Sequence, residues 1–196
     1  MIRWVVTGPA GAGKSVFCGF LADRGAAVVD GDRLGHEILA REDVVSGIIT
    51  EFGSGVVFDG SVDRSALARL VFADPVALEK LNRMTHGPLA ASAGRRMDEL
   101  DKEGRHRLAV LEAAVYFLLP PVSGIELVIT VTASPSTRLS RMVGGGVLNP
   151  AEARSRIQAQ RSLEDGWARA DVVLVNDGPV SELEKAAEDL WSRLKD

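Results

Sequence analysis

The sequence has one cysteine, Cys18, so no internal disulfide can form and a reducing compartment is the natural one. Cys18 falls early in an expected helix beside Phe17, where a buried, inert thiol is expected. Long apolar runs are also missing. The longest uncharged one, Ala113 to Leu119, is far too short to cross a bilayer. The N-terminus enters the apolar run Ile2 to Val6 at once, and polar residues and Lys14 follow, without a signal-peptide pattern. The expectation is a cytoplasmic chain with no membrane partner. Positive charge is not in excess: 23 basic and 27 acidic residues leave a net charge of -4. That argues against the basic surface of a nonspecific nucleic-acid binder, so no nucleic-acid partner is expected. Lysine is scarce, five of the 23 basic residues, so a lysine in a special position carries weight.

What is present fits an ordinary globular chain, with 196 residues, 46% of them hydrophobic and 26% charged. Short apolar runs alternate with helical patterns, which predicts an α/β fold with a mostly parallel sheet flanked by helices. Strands are expected at Ile2–Thr7, Ala26–Asp30, Leu108–Leu111, Leu127–Thr132 and Val172–Val175. They are rich in Val, Ile and Leu and alternate little, as strands covered on both faces do. Helices are expected at Lys14–Asp23, before the capping glycine Gly25, and at Val180–Leu194, with Leu183, Ala187, Leu190 and Leu194 on one stripe. Residues 33–105 are too long for a plain crossover and read as a helical substrate-binding insertion into a core of about 1–32 and 106–196. Gly144-Gly145-Gly146 carries high backbone entropy and reads as a hinge or mobile loop, within an irregular segment from Met142 to Pro150 that a charged helix follows to about Ser162.

Gly8-Pro9-Ala10-Gly11-Ala12-Gly13-Lys14-Ser15 matches G-x-x-x-x-G-K-[ST], with a strand before it and a helix after it. Glycines let the backbone wrap an anion, successive N–H groups form a nest, and the helix adds its positive end. Lys14 supplies an ammonium for the β- and γ-phosphates of a nucleoside triphosphate, and the Ser15 hydroxyl is a ligand for Mg²⁺. The fold is therefore expected to be that of a P-loop NTPase, with ATP and Mg²⁺ bound through Gly8, Gly11, Ala12, Gly13, Lys14, Ser15 and Val16. The motif alone does not separate kinases from switches or motors. None of the three asparagines (Asn82, Asn149, Asn176) precedes a lysine, so the Asn-Lys-x-Asp of guanine-nucleotide switches is missing.

Val28-Val29-Asp30-Gly31-Asp32 puts two carboxylates at the end of a strand expected to neighbour the P-loop, at the edge where ligands gather. A carboxylate there could accept the proton of an attacking hydroxyl or hold Mg²⁺ through water. Asp32 could equally be the N-cap of a following helix, and spacing leaves both readings open.

From end to end the chain resembles the dephospho-coenzyme A kinase family. The resemblance is carried by Val28-Val29-Asp30-Gly31-Asp32 with His36, then Phe52-Gly53, Asp59-Gly60, Asp63-Arg64, Leu67 and Val71-Phe72. Leu81-Asn82 with His86, Arg156-Ile157 with Gln160, Ala170-Asp171 and Asn176-Asp177-Gly178 complete it. It implies transfer of the ATP γ-phosphate to the ribose 3′-hydroxyl of dephospho-coenzyme A. On that footing Asp32 matches the general base, and residues 33–105 bind the acceptor, with His36, Arg64 and His86 in or beside its pocket. Residues 138–162 match a lid, with Arg141 among the catalytic groups and Arg138 near the nucleotide. A monomer or small homo-oligomer is expected.

The chain departs from the family pattern at four places, which thin the charge expected around the moving phosphoryl group. The usual Pro-Leu-Leu-x-Glu falls on Ala114-Val115-Tyr116-Phe117-Leu118, and the usual His-Pro is His86-Gly87. A second lid arginine falls on Gly145, and a basic residue after the Gln160 motif falls on Gly166. Arg138 and Arg161 are close enough in sequence to substitute. A nucleotide-binding homologue with little turnover, or a kinase for another hydroxylated acceptor, therefore stands beside the leading reading.

Overall fold

The computed structural model describes residues 1–146 and 148–195. Val147, inside the expected lid, and Asp196 lie outside the described residues. In chain order, β1 (Ile2–Thr7), α1 (Lys14–Asp23) and β2 (Ala27–Asp30) are followed by α2 (Gly31–Leu39) and α3 (Glu42–Phe52). A hairpin of β3 (Val57–Phe58) and β4 (Ser61–Val62) leads to α4 (Arg64–Ala73) and α5 (Pro75–Glu103). The chain closes with β5 (Leu108–Glu112), β6 (Leu127–Thr132), α6 (Pro135–Gly144), α7 (Pro150–Ala159), α8 (Glu164–Trp167), β7 (Val172–Val175) and α9 (Val180–Ser192). Among the described residues no helix is long and apolar enough to cross a membrane.

Five strands form a parallel sheet in the order β2-β5-β1-β6-β7. The middle strand β1 pairs on both edges, with β5 and β6, and its Val5 and Val6 are fully buried. Trp4 and Val6 turn to one face with Leu108, Val110, Ile129 and Val131, and pack on Phe17 and Leu21 of α1 and Leu183, Ala187 and Leu190 of α9. The alternate residues Val5, Ala109 and Leu111 are as fully buried on the other face. One expectation is corrected here. β2 does not neighbour β1, because β5 runs between them and pairs with both. β5 also runs one residue past its apolar run, since Glu112 stays in register with Val6 and Asp30.

The chain divides into two compact units, one of residues 1–30, 95–118 and 123–196, the other of residues 31–94 and 119–122. In the second, Leu34 and Ile38 of α2, Val44 and Ile48 of α3, and Leu67 and Val71 of α4 are buried. Helix α3 comes close to α5 at Gly47, where a Cβ would stand 3.3 Å from the Met84 sulfur. The β3–β4 hairpin, where only helices were expected, turns through Asp59 (φ 49°) and Gly60 (φ 72°). Two left-handed residues in a two-residue loop give the twist that flanking strands favour, and Asp-Gly is the usual signal for it. Helix α5 is 29 residues long and continues through Pro88. Its last turns belong to the first unit, where Asp98 (2.8 Å) and Asp101 (3.5 Å) meet Arg3.

The sheet-to-α1 packing makes a direct prediction. Phe17 is fully buried, so Phe17→Ala should lower unfolding free energy by about 3–5 kcal/mol in urea titration. A loss below about 1 kcal/mol would contradict this packing.

Candidate active site

β1 ends at Thr7 and the chain turns at Gly8 with φ 129°, where a Cβ would lie 2.1 Å from the Val131 carbonyl oxygen. Gly13 has φ 102°, and its Cβ would meet the Asn176 amide nitrogen at 2.4 Å. Both positions need glycine for backbone angle and for space. Gly13 is also the N-cap of α1, and among the described residues no side chain caps this end and no acid sits in its first turn. The first N–H groups of a helix have no intrahelical partner, so this positive end suits an anion. Lys14 spans the loop, its Nζ donating to the Pro9 carbonyl (3.1 Å). Ser15 Oγ donates to Glu112 Oε1 (2.7 Å).

Three other elements hold the loop from behind. Buried Asn176, just after β7, donates from Nδ2 to the Ala12 carbonyl (2.7 Å). Arg138 of α6 donates from Nε to the Ala10 carbonyl (3.0 Å) and from Nη2 to Gln160 Oε1 (3.1 Å). Gln160, at the end of α7, accepts from the Ala10 N–H through the same oxygen (2.9 Å). Arg138 is 3% exposed, and burial pulls its guanidinium below its ordinary pKa, against the pull of Glu164. These contacts place it behind the loop. Arg141, one turn further along α6, is exposed and reaches the Ala12 carbonyl at 3.5 Å. α6 itself starts at the N-cap Ser134, whose backbone N–H donates to Asp177 (2.9 and 3.2 Å). The Thr137 hydroxyl, then the Ser134 N–H and hydroxyl, hold the Asp177 carboxyl below its usual range.

Sequence reasoning missed Glu112. It closes β5, the strand beside β1, and also accepts from the Cys18 thiol. Burial first, then Glu112, pushes that thiol well above its ordinary pKa, so Cys18 is the buried, inert residue expected. An acidic residue ending an apolar strand run was the available signal. Gln160 and Asn176 were quoted for family pattern alone, and no local signal ties them to the loop.

Asp32, His36, Arg64 and His86 all lie in the second unit. Helix α2 starts at Gly31, directly after β2, so Asp32 is its second residue and does not stand at the cap. It is exposed in the first turn, with His36 one turn along on the same face. Arg64 opens α4, and Asp63 caps that helix through the Ser65 and Ala66 N–H groups (3.0 Å each). His86 is half-buried on α5. Of the departures, Gly145 ends α6 with φ -76° and ψ 0°, which any residue adopts. Gly166 lies against Phe117, whose Cβ would be 3.0 Å from an added Cβ, and Arg169 stacks over the Phe117 ring at 5.5 Å. The Ala114 carbonyl accepts from Trp167 Nε1 (3.0 Å) and Thr7 Oγ1 (3.3 Å), which fixes the start of the altered segment.

A phosphate loop on the middle strand of this sheet, running into a helix without a side-chain cap, defines the class: a P-loop nucleotide-binding fold. A shikimate kinase from Acinetobacter baumannii shares it at 14% identity, with a TM-score of 0.55 over 99% of this chain and 93% of that one. The sequence profile of dephospho-CoA kinase matches residues 4–182, and the chain belongs to that family. It is 35% identical to the dephospho-CoA kinase of Streptomyces avermitilis over 99% of this chain and 94% of that protein. It is 35% identical to that of Chlorobaculum tepidum over 96% and 93%. A crystal structure of a Thermus thermophilus protein superposes with a TM-score of 0.74 at 31% identity, covering 98% of this chain and 97% of that one.

Asp177 gives a pH prediction. Its folded pKa is lowered, so its contribution is present above its unfolded value of about 3.9 and fades as pH falls through the folded one. Asp177→Ala should lower Tm at neutral pH, and the gap from wild type should close on strong acidification. A gap independent of pH would contradict the capping role.

Proposed function

We infer that the chain transfers the γ-phosphoryl group of ATP to the ribose 3′-hydroxyl of dephospho-CoA, giving CoA and ADP. The observation that carries this reading is family membership over residues 4–182, together with a complete phosphate loop on the middle strand. The oxygen of the 3′-hydroxyl attacks the γ-phosphorus, the bond to the β–γ bridging oxygen breaks, and ADP leaves with that electron pair. The hydroxyl proton goes to Asp32, the exposed carboxylate two residues beyond the end of β2. The loop N–H groups, the α1 terminus and Lys14 neutralise the phosphates. Arg141, exposed and one turn from the buried Arg138, supplies the mobile cation. Arg138 acts on the nucleotide through the loop that it grips at Ala10. His36, Arg64 and His86 hold the acceptor.

Mg²⁺ fits the loop because Ser15 Oγ and Glu112 Oε1, both oxygen donors, converge within 2.7 Å. The ion takes few protein ligands and completes its shell with water and phosphate. Bound by Ser15 directly and Glu112 directly or through water, it would neutralise phosphate charge. The lone buried thiol and the lack of a membrane-crossing helix among the described residues are compatible with the cytoplasm, which we propose as its compartment.

Variants separate the roles. Asp32→Asn should lower kcat by about 10²- to 10⁴-fold with ATP affinity retained in calorimetry. Lys14→Ala should lose ATP affinity while its melting curve stays near wild type. If Asp32→Asn turns over normally but melts several degrees lower, Asp32 is structural and the assignment of the base is wrong.

A further inference from the structure

One side-chain oxygen joins the phosphate loop to both ends of the lid segment. Gln160 Oε1 accepts the Ala10 N–H (2.9 Å) and the Arg138 Nη2–H (3.1 Å), while Arg138 Nε donates to the carbonyl of Ala10 (3.0 Å). The loop is thus gripped at the N–H and C=O of one residue, and the three groups close a ring. Arg138 stands near the start of α6, and Gln160 is the C-cap of α7. The α6–α7 pair therefore meets the loop at both its feet. Arg141 lies three residues beyond Arg138 on the same helix. Fixing the Arg138 guanidinium fixes the rotation of α6, and with it the direction in which Arg141 leaves the helix.

We propose that Gln160 is a positioning residue for phosphoryl transfer, aligning Arg141 over the phosphate loop by holding Arg138 and Ala10 together. It acts through Arg141 and the loop, and its side chain does not touch the phosphates. The chemistry explains the residue type. A neutral amide carbonyl has two lone pairs and can serve a backbone N–H and a guanidinium at once. A side chain of the same length without an oxygen leaves the Ala10 N–H and a buried cation each short of an acceptor. The transfer step in this inference rests on the kinase reading above, while the loop contact does not.

The experiment compares Gln160→Met, which keeps length and loses the oxygen, with Gln160→Glu, which keeps an oxygen in reach of both donors. Each is made in wild type and in Arg141→Ala, and kcat, KM for ATP and calorimetric ATP affinity are read. Gln160→Met should cost about 10- to 100-fold in kcat, the scale of a small misplacement of a catalytic group. Gln160→Glu should recover most of that loss. In the Arg141→Ala background Gln160→Met should add little, because coupled residues are non-additive. Gln160→Asn, whose oxygen is one methylene short, replaces Gln160→Met if the latter does not fold. An unchanged kcat in the folded Met or Asn variant overturns the proposal, as does a Glu variant as impaired as Met, or full additivity with Arg141→Ala. If wild type transfers nothing to dephospho-CoA, the kinase reading fails instead. The loop contact is then decided by ATP affinity, which should fall in Gln160→Met and recover in Gln160→Glu.

Discussion

A glycine-rich loop that is to receive a triphosphate must be ordered without filling its own cradle. Here the ordering comes from outside the loop. The Ala10 and Ala12 carbonyls are tied back by Arg138 and Asn176, and the Ala10 N–H by Gln160. Gly8 and Gly13 leave no room for a side chain against the Val131 carbonyl and the Asn176 amide. The positive end of α1 then faces a cradle whose shape is set before any anion arrives. Much of the first unit follows from this constraint. β7 must end beside the loop to deliver Asn176, and α6 must start under the Asp177 cap to deliver Arg138 and Arg141. α7 must end where Gln160 meets both.

Some of this was legible in the sequence for physical reasons. The strands Ile2–Thr7, Leu127–Thr132 and Val172–Val175 and the helix Lys14–Asp23 stand where the apolar runs and their breaks put them. Each is bounded on at least one side by glycine or charge. The expected covering on both faces holds for the inner strands but not for β7, which lies at the sheet edge and leaves Val173 and Val175 exposed. The loop was legible because its chemistry is local. The tie-backs were not, since Gln160 and Asn176 are 150 and 164 residues from their loop partners. Nothing around either residue marks it for that contact. Strand order was hidden in the same way. The insertion of β5 between β1 and β2 makes Glu112 the carboxylate beside Ser15, a place the sequence reading had given to the end of β2. The hairpin at Asp59-Gly60 had a readable signal that a helical reading of the region passed over.

The structure also changes the meaning of the departures from the family pattern. Gly166 was expected to mark a missing positive charge, yet its α-carbon is packed on Phe117, one of the residues of the altered Ala114-Leu118 segment. The two departures meet in one packing contact. Gly145 is different, standing at the exposed end of α6 in an ordinary helical conformation. Arg138 does not substitute there as a free cation, because it is buried behind the loop and bonded to Ala10 and Gln160. Arg141 is left as the exposed arginine of α6, which suits it to the charge-neutralising role proposed for it.

Family membership over residues 4–182 implies that this loop serves transfer to one alcohol, beyond binding a nucleotide. The direct measurement is ADP release by the wild-type chain with ATP and Mg²⁺, offered dephospho-CoA or a panel of nucleosides and sugars, with the product analysed by phosphorus NMR. ADP should form in equal amount to CoA, with the new phosphate on the ribose 3′-oxygen and little release with the panel. Tight ATP binding without transfer, or faster release with another alcohol, would contradict this.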